Sequence, residues 1–208
     1  WDVETGELVA ELTGEHTGLI TSVLFSADGT QVYSAALDDD FAIVIWDLET
    51  GDAVNRLIEH EGFVDSLALS EDGTQLISGA RDNNVIVWDL ESGASIATLT
   101  GPSNPVLAVD ISPDGTQAAA ASVDNTVRVW DITSEAQTHL FTGHTNSADS
   151  VDFHPEGRYL LSGADDATLR VWDLETSEEV RAIITEASIE EAFYAPDGTT
   201  AYSVATDR

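Results

Sequence analysis

Three sets of residues in this chain have the make-up of a hydrolytic triad. His16, Ser34 and Asp38 recur as His60, Ser78 and Asp82 and again as His144, Ser162 and Asp166, each His standing 18 residues before its Ser. A serine that gives its proton to a histidine, itself oriented by an aspartate, is the arrangement that attacks acyl carbons. An enzyme needs that arrangement once, whereas here it returns three times. The repetition points to a structural part, and no catalytic residue is assigned.

The other chemical candidates are weaker. Asp38-Asp39-Asp40 sets three carboxylates in a row, and oxygen ligands suit a hard cation such as Ca²⁺. The run lacks the Asp-x-Asp-x-Asp-Gly spacing of a calcium loop, so a solvated turn is expected and no metal site is assigned. Asp47, Asp89, Asp131 and Asp173 recur at equal intervals, and no two are expected to converge as an acid–base pair. His139, in an outer strand, and His154, before Pro155, are expected at the surface. There is no glycine-rich phosphate loop, no cysteine and no Cys/His metal spacing, so no cofactor is implied.

The elements that carry these residues follow from a repeat. Trp-Asp pairs stand at 1–2, 46–47, 88–89, 130–131 and 172–173, at intervals of 45, 42, 42 and 42. One unit reads as four short strands: Val64–Ser70, an Asp72-Gly73 turn, Gln75–Ala80, a turn at Arg81–Asn84, Val85–Trp88, a turn at Asp89–Gly93, and Ser95–Leu99. Asp-Gly tolerates the positive φ of a tight turn, the strands are β-branched, and no helical period runs through them. The first turn recurs as Asp28-Gly29, Asp114-Gly115, Glu156-Gly157 and Asp197-Gly198. The turn after Trp-Asp recurs as Glu4-Thr5-Gly6 and Glu49-Thr50-Gly51, then loosens to Thr133-Ser134-Glu135 and Glu175-Thr176-Ser177.

A period of about 40–45 residues with such marks belongs to four-stranded propeller blades. On these motifs the chain resembles the WD40-repeat family over essentially its whole length. The expected fold is all-β: a WD40 β-propeller segment of four complete four-stranded blades with half blades at both ends. Residues 1–14 would end one blade, with a fourth strand near Glu7–Leu12. Units 15–58, 59–100, 101–142 and 143–184 would be complete, and 185–208 a half repeat with strands at Ile189–Ala195 and Thr200–Ala205. The five repeat-locked tryptophans, Trp1 included, are expected in the core. The chain opens on Trp1 and has no methionine, and its two ends do not add up to a whole blade, so a longer propeller or a second copy is expected to supply more.

The resemblance also implies a role for the recurring sets. His precedes the first strand, Ser lies on the second, Asp in the next turn and Trp on the third, joined by hydrogen bonds. The expected tetrads are His16, Ser34, Asp38 and Trp46; His60, Ser78, Asp82 and Trp88; and His144, Ser162, Asp166 and Trp172. The unit 101–142 has Pro102 and Ala120 at the His and Ser positions, while Asp124 and Trp130 remain. Losing both partners of a buried bond costs less than losing one, as a structural bond would require. In the half repeat Thr185 takes the His position, with Ser203 and Asp207 retained.

Charge narrows the partner. Seven arginines and no lysine stand against 39 acidic residues, for a net charge of −32. Such a chain repels phosphate backbones, so nucleic acid is excluded as a partner. No apolar run reaches the roughly 18 residues of a membrane span. The expected function is a non-catalytic scaffold that binds a protein or peptide through loops on a rigid disc, a basic partner being one that the acidic surface would suit. The loops that hold Asp39, Asp40, Phe41, Phe63, Arg81, Asn83, Asn104 and Asn146 are the expected contact points. The first unit has eight residues from Asp38 to Trp46 where the others have six, and insertions of this kind often map to a binding face. Near-identical units such as DLETGD and DLESGA resemble those of bacterial multidomain WD40 proteins, in which the propeller is a sensor fused to a signalling domain. Two alternatives stand beside this reading: self-assembly through open blade edges into rings or fibres, and an enzyme with its site in the channel. Cytoplasm is the default location when no leader is visible.

Overall fold

Each reversal between a first and a second strand is set by a glycine in the left-handed region. Gly29, Gly73, Gly115, Gly157 and Gly198 have φ between 67° and 73°. The aspartate before the glycine fastens the turn: Asp28, Asp72, Asp114 and Asp197 each accept a hydrogen bond from the backbone N–H of the threonine two residues on.

The computed structural model describes residues 1–206. The first sheet is β1 (Ile20–Phe25), β2 (Gln31–Ala36), β3 (Ile43–Asp47) and β4 (Ala53–Leu57). The second is β5 (Val64–Leu69), β6 (Gln75–Ala80), β7 (Val85–Asp89) and β8 (Ala94–Leu99). The third is β9 (Val106–Ile111), β10 (Gln117–Ser122), β11 (Thr126–Asp131) and β12 (Gln137–Thr142). The fourth is β13 (Ala148–Phe153), β14 (Tyr159–Ala164), β15 (Thr168–Asp173) and β16 (Glu178–Ile184). A two-stranded sheet, β17 (Ile189–Tyr194) with β18 (Ala201–Ala205), follows. Each sheet is an antiparallel meander in sequence order, and the succession of sheets does not close on itself. The inner strands β1, β5, β9, β13 and β17 touch in turn and together line a cavity of about 570 Å³.

The core lies in the seams between sheets, not within any one of them. Tyr33, Ala35, Ile43, Ile45 and Leu57 on one sheet meet Leu76, Ile86 and Trp88 on the next. The same seam recurs with Leu99 and Trp130, and with Phe141 stacked on Trp172 at 4.9 Å between centroids. A two-layer seam of this kind is what four short strands need in order to bury both faces.

Backbone bonds also divide the molecule into two faces. On one, the residue after each second strand donates to the carbonyl just before the first: Leu37 to Leu19, Arg81 to Phe63, Val123 to Pro105 and Asp165 to Ser147. On the other, Leu48, Leu90, Ile132 and Leu174 donate to Thr30, Thr74, Thr116 and Arg158, which ties the remaining two turns together.

Two expectations at the start of the chain are corrected. Glu7–Leu12 forms no strand, because the third strand it would pair with is represented only by Trp1-Asp2. Leu12 nevertheless packs on Trp46, the place that Leu57, Leu99 and Phe141 take on the later tryptophans. Trp1 is 81% exposed instead of buried, since no sheet of its own surrounds it. A third correction concerns the turns expected to loosen. They keep their shape, with Glu135 (φ 57°) and Ser177 (φ 60°) in the conformation that glycine takes elsewhere. Asp207, part of the half repeat, lies outside the described residues.

The seams set a tight limit on side-chain size. A Cβ on Gly79 would lie 2.6 Å from Cγ1 of both Val106 and Val109 on the next sheet. The third sheet carries Ala121 at this position and pairs it with the smaller Ala148 in the same cluster. Gly79→Ala is therefore expected to lower unfolding stability by about 1–3 kcal/mol, and the added Val106→Ala to return part of that loss. Urea titrations of the parent, the single variants and the double variant read this directly.

Candidate functional site

The three histidine sets are closed chains of hydrogen bonds that run from the outer strands to the loops. In the second sheet the Trp88 indole N–H donates to Ser78 Oγ (2.8 Å), Ser78 O–H meets His60 Nε2 (2.7 Å), and His60 Nδ1 meets Asp82 Oδ2 (2.8 Å). The carboxylate can only accept, so Nδ1 carries the proton and Nε2 accepts from the serine. Asp82 also takes the backbone N–H groups of Glu61 and Asn84. The first sheet repeats the chain through Trp46, Ser34, His16 and Asp38, and the fourth through Trp172, Ser162, His144 and Asp166. Burial holds the His144 imidazole below its ordinary value against the opposing pull of Asp166, which keeps it neutral. Burial pushes the Asp82 and Asp166 carboxyls up, but hydrogen bonds from His60 and from Thr168 head a set that outweighs it and leaves both below the usual range.

In each set the hydrogen bonds join the second and third strands of one sheet to two of its loops. Each serine hydroxyl is buried and spends its proton on one ring while it accepts from another. Where Ser is Ala120, the Trp130 indole turns to the carbonyl of Thr100 at 3.1 Å, in the segment after β8. Sequence reading showed that both partners were missing but not which acceptor replaced them.

The Trp-Asp aspartates also have work that the sequence left open. Asp47, Asp89 and Asp131 each accept the N–H three residues on (2.8 Å), and Asp173 accepts from Glu175 and Thr176 and pairs with Arg158. They fasten the turn after the third strand, which is why Glu135 and Ser177 hold a conformation unfavourable to them. Among the histidines, His139 is not a plain surface residue: its Nε2–H donates to the Leu174 carbonyl of the next sheet (2.8 Å) and its ring stacks on Phe141. His154 likewise reaches the Gly198 carbonyl (3.0 Å).

The loop residues separate into groups. Phe41 and Phe63 meet edge to face at 5.5 Å, and the Arg81 guanidinium sits 5.8 Å above Phe63 while forking onto Asp65. Asp38, Asp39 and Asp40 diverge: Asp38 turns inward to His16 and to the N–H groups of Thr17 and Gly18, and Asp40 pairs with Arg56. Phe41 ends this longer turn with φ 54°, a costly conformation for a bulky residue, where the next two sheets place Asn83 and Asn125. Asn83 therefore serves the turn itself. Asn104 and Asn146 are exposed on the matching loops of the third and fourth sheets.

The inner strands show a feature that sequence reading missed. Side chains on one strand accept an N–H from the next: Ser22 from Leu67, Ser66 from Val109, Asp110 from Phe153 and Asp152 from Tyr194. Two of these staples are hydroxyls and two are carboxylates. Burial, with the nearby Asp152 adding to it, pushes the Asp110 carboxyl up to about 7.

A family model described as WD domain, G-beta repeat, matches residues 6–47, 51–89, 93–131 and 135–173.

Two outcomes follow from this geometry. Ser78→Ala strands the Trp88 N–H and His60 Nε2 and is expected to cost about 1–3 kcal/mol. A double-mutant cycle with His60→Ala should show a coupling of about 0.5–3 kcal/mol, and additive losses would deny the chain of bonds. For Asp110, the folded protein keeps the proton up to about pH 7 whereas the unfolded chain releases it near 3.8. Stability from this group is thus present at low pH and falls as pH rises through that window. Asp110→Asn keeps an acceptor for Phe153 and should raise stability by about 2 kcal/mol at pH 8, with the gain vanishing near pH 4. Thermal melts across pH measure both ends.

Proposed function

Because the chain belongs to the WD40 family of G-beta repeats, whose repeat domains are in general non-catalytic scaffolds for protein–protein interaction, we propose that it binds a protein or peptide through the face that carries the histidine loops and the second-to-third strand turns. The observation that carries this reading is the division of labour between the two faces. On the opposite face the turns are near copies, and in the first three sheets each is fastened by an aspartate. On the histidine face the tetrads hold the loop bases rigid, while the residues above them change from sheet to sheet. Leu19, Phe63, Pro105 and Ser147 occupy one repeat position, and Leu37, Arg81, Val123 and Asp165 another. A frame that is constant beneath loops that vary is the design of a recognition surface.

The finer role follows by analogy of fold alone: a sensor propeller within a larger signalling protein. Among the described residues β18 pairs with β17 alone, and assembly through strand edges is the second reading. Sedimentation separates the two, since edge assembly makes mass rise with concentration and a sensor module stays at one mass.

Peptides selected against the folded chain from a displayed library test the main reading. Amide hydrogen exchange with a selected peptide bound is expected to protect 38–41, 60–63, 81–83 and 103–105. Protection centred on 47–51 and 89–93 would place recognition on the other face and overturn the assignment. Deletion of Asp39 and Asp40 should weaken such a peptide about tenfold while the melting temperature holds.

A further inference from the structure

The residues above the frame are not scattered at random around the face. At the position just before the inner strand the order is Leu19, Phe63, Pro105, Ser147 and Ser188, and just before the turn aspartate it is Leu37, Arg81, Val123 and Asp165. Apart from Arg81, the first three sheets thus carry apolar and aromatic groups at these positions, and the fourth carries hydroxyl and carboxylate groups. The second residues of the inner strands, Thr21, Asp65, Leu107, Asp149 and Glu190, all line the 570 Å³ cavity, and the carboxylates of the last two strands adjoin each other there. Asp65 lines the cavity and takes the Arg81 fork, and the Arg81 guanidinium lies over Phe63, so the Phe41–Phe63 pair reaches the channel mouth through Arg81.

Charge on that surface is unequally satisfied. Asp65 is neutralised by the bidentate Arg81. Asp149 is not: Oδ1 accepts from Ser147 (2.9 Å), and Oδ2 is buried with no partner. Its neighbours Asp165 and Glu190 are also acidic. Burial above all, with these two charges, pushes its carboxyl up to about 6. An unpaired buried carboxylate oxygen beside two more anions is the site on this face where an added cation gains most. At the other end, Phe41 is held in a left-handed conformation where the second and third sheets have asparagine and the fourth Ala167, so its half-buried ring meets Phe63 at a backbone cost.

We propose that this face takes a peptide segment in which an aromatic or aliphatic side chain stands close to an arginine or lysine, the apolar group resting on Phe41 and Phe63 and the cation entering the channel mouth beside Asp149 and Glu190. The proposal rests on the reading of this face as the protein-binding one and adds the chemistry of the partner. The net charge of −32 draws such a segment in from a distance, and the paired aromatic and acidic sites fix where it settles.

The test is a nitrogen-15 NMR titration of the whole chain with the peptide Gly-Ser-Phe-Gly-Arg-Ser-Gly, amidated at its end. Controls replace its Arg by Gln or its Phe by Ala. Phe41→Asn installs the residue type the neighbouring turns carry, and Asp149→Asn keeps the acceptor for Ser147, so both are expected to fold. Each should weaken binding at least about fivefold, as should either peptide control, whereas Glu49→Gln, an equal charge change on the opposite face, should alter it less than about twofold. Affinity should also fall as pH is lowered from 7.5 to 5 and Asp149 takes up a proton. Equal losses from Glu49→Gln and Asp149→Asn would reduce the binding to general attraction and overturn the proposal. So would equal affinity for the Gln peptide, although the face itself would stand if the shifts remained there. Shifts confined to 47–51 and 89–93 would overturn both this proposal and the assignment of the face, and no shifts at all would overturn the partner chemistry.

Discussion

Everything in this molecule depends on where the tryptophan at the end of each third strand puts its two ends. The indole N–H is committed inside its own sheet, to Ser34, Ser78 or Ser162, and through that hydroxyl to a loop histidine. The ring lies in the seam, against Leu12, Leu57, Leu99 or Phe141 from the preceding unit. One residue therefore couples the internal geometry of a sheet to its fit on the neighbour. Neither half suffices alone, because a four-stranded meander has too little surface to bury its own faces and must stack. The same residue thus connects the seam to the histidine loop at the far end of the bond chain.

The third sheet shows what is negotiable in that coupling. Pro102 and Ala120 remove the histidine and the serine together, yet Trp130 keeps its place in the seam and its N–H finds the Thr100 carbonyl. Asp124 still ties the loop down, through the Ser103 N–H, the Thr126 hydroxyl and Arg128. What must be preserved is the satisfied indole and the anchored loop. The particular atoms between them can be exchanged so long as no buried polar group is orphaned.

Most of the fold was legible because the repeat locks side chains to backbone positions: Trp-Asp at a fixed interval, an acidic residue and Gly just before each second strand, and a serine 18 residues after each tetrad histidine. Such signals are local and survive without any knowledge of neighbours. What was not legible depends on contacts between units. Trp1 carries the same motif as Trp46 but has no sheet around it, so periodicity alone misplaces it. His139 and His154 fall outside the repeat, and only the packed seams reveal the carbonyls of Leu174 and Gly198 that they bond. The staples of the inner strands were hidden for a related reason. Ser22 and Ser66 sit at one register of their strands and Asp110 and Asp152 at another, so no single spacing connects them.

Those staples bear on how the histidine face is held. The first three inner strands are joined by hydroxyls, whose hydrogen bonds do not change with pH, and it is above these strands that Phe41, Phe63 and Arg81 cluster. The later seams are joined by Asp110 and Asp152, which burial raises above the ordinary carboxylate range. Protonation of a raised carboxyl favours the folded seam, and ionisation at neutral pH places two negative charges side by side along the channel wall. The apolar half of the face thus rests on seams indifferent to pH, while the acidic half rests on seams under electrostatic load. A cation held at the channel mouth would relieve part of that load. If the proposed basic segment settles there, its cation and the carboxylates of the later seams interact, and occupancy of the face is then linked to the stability of those seams.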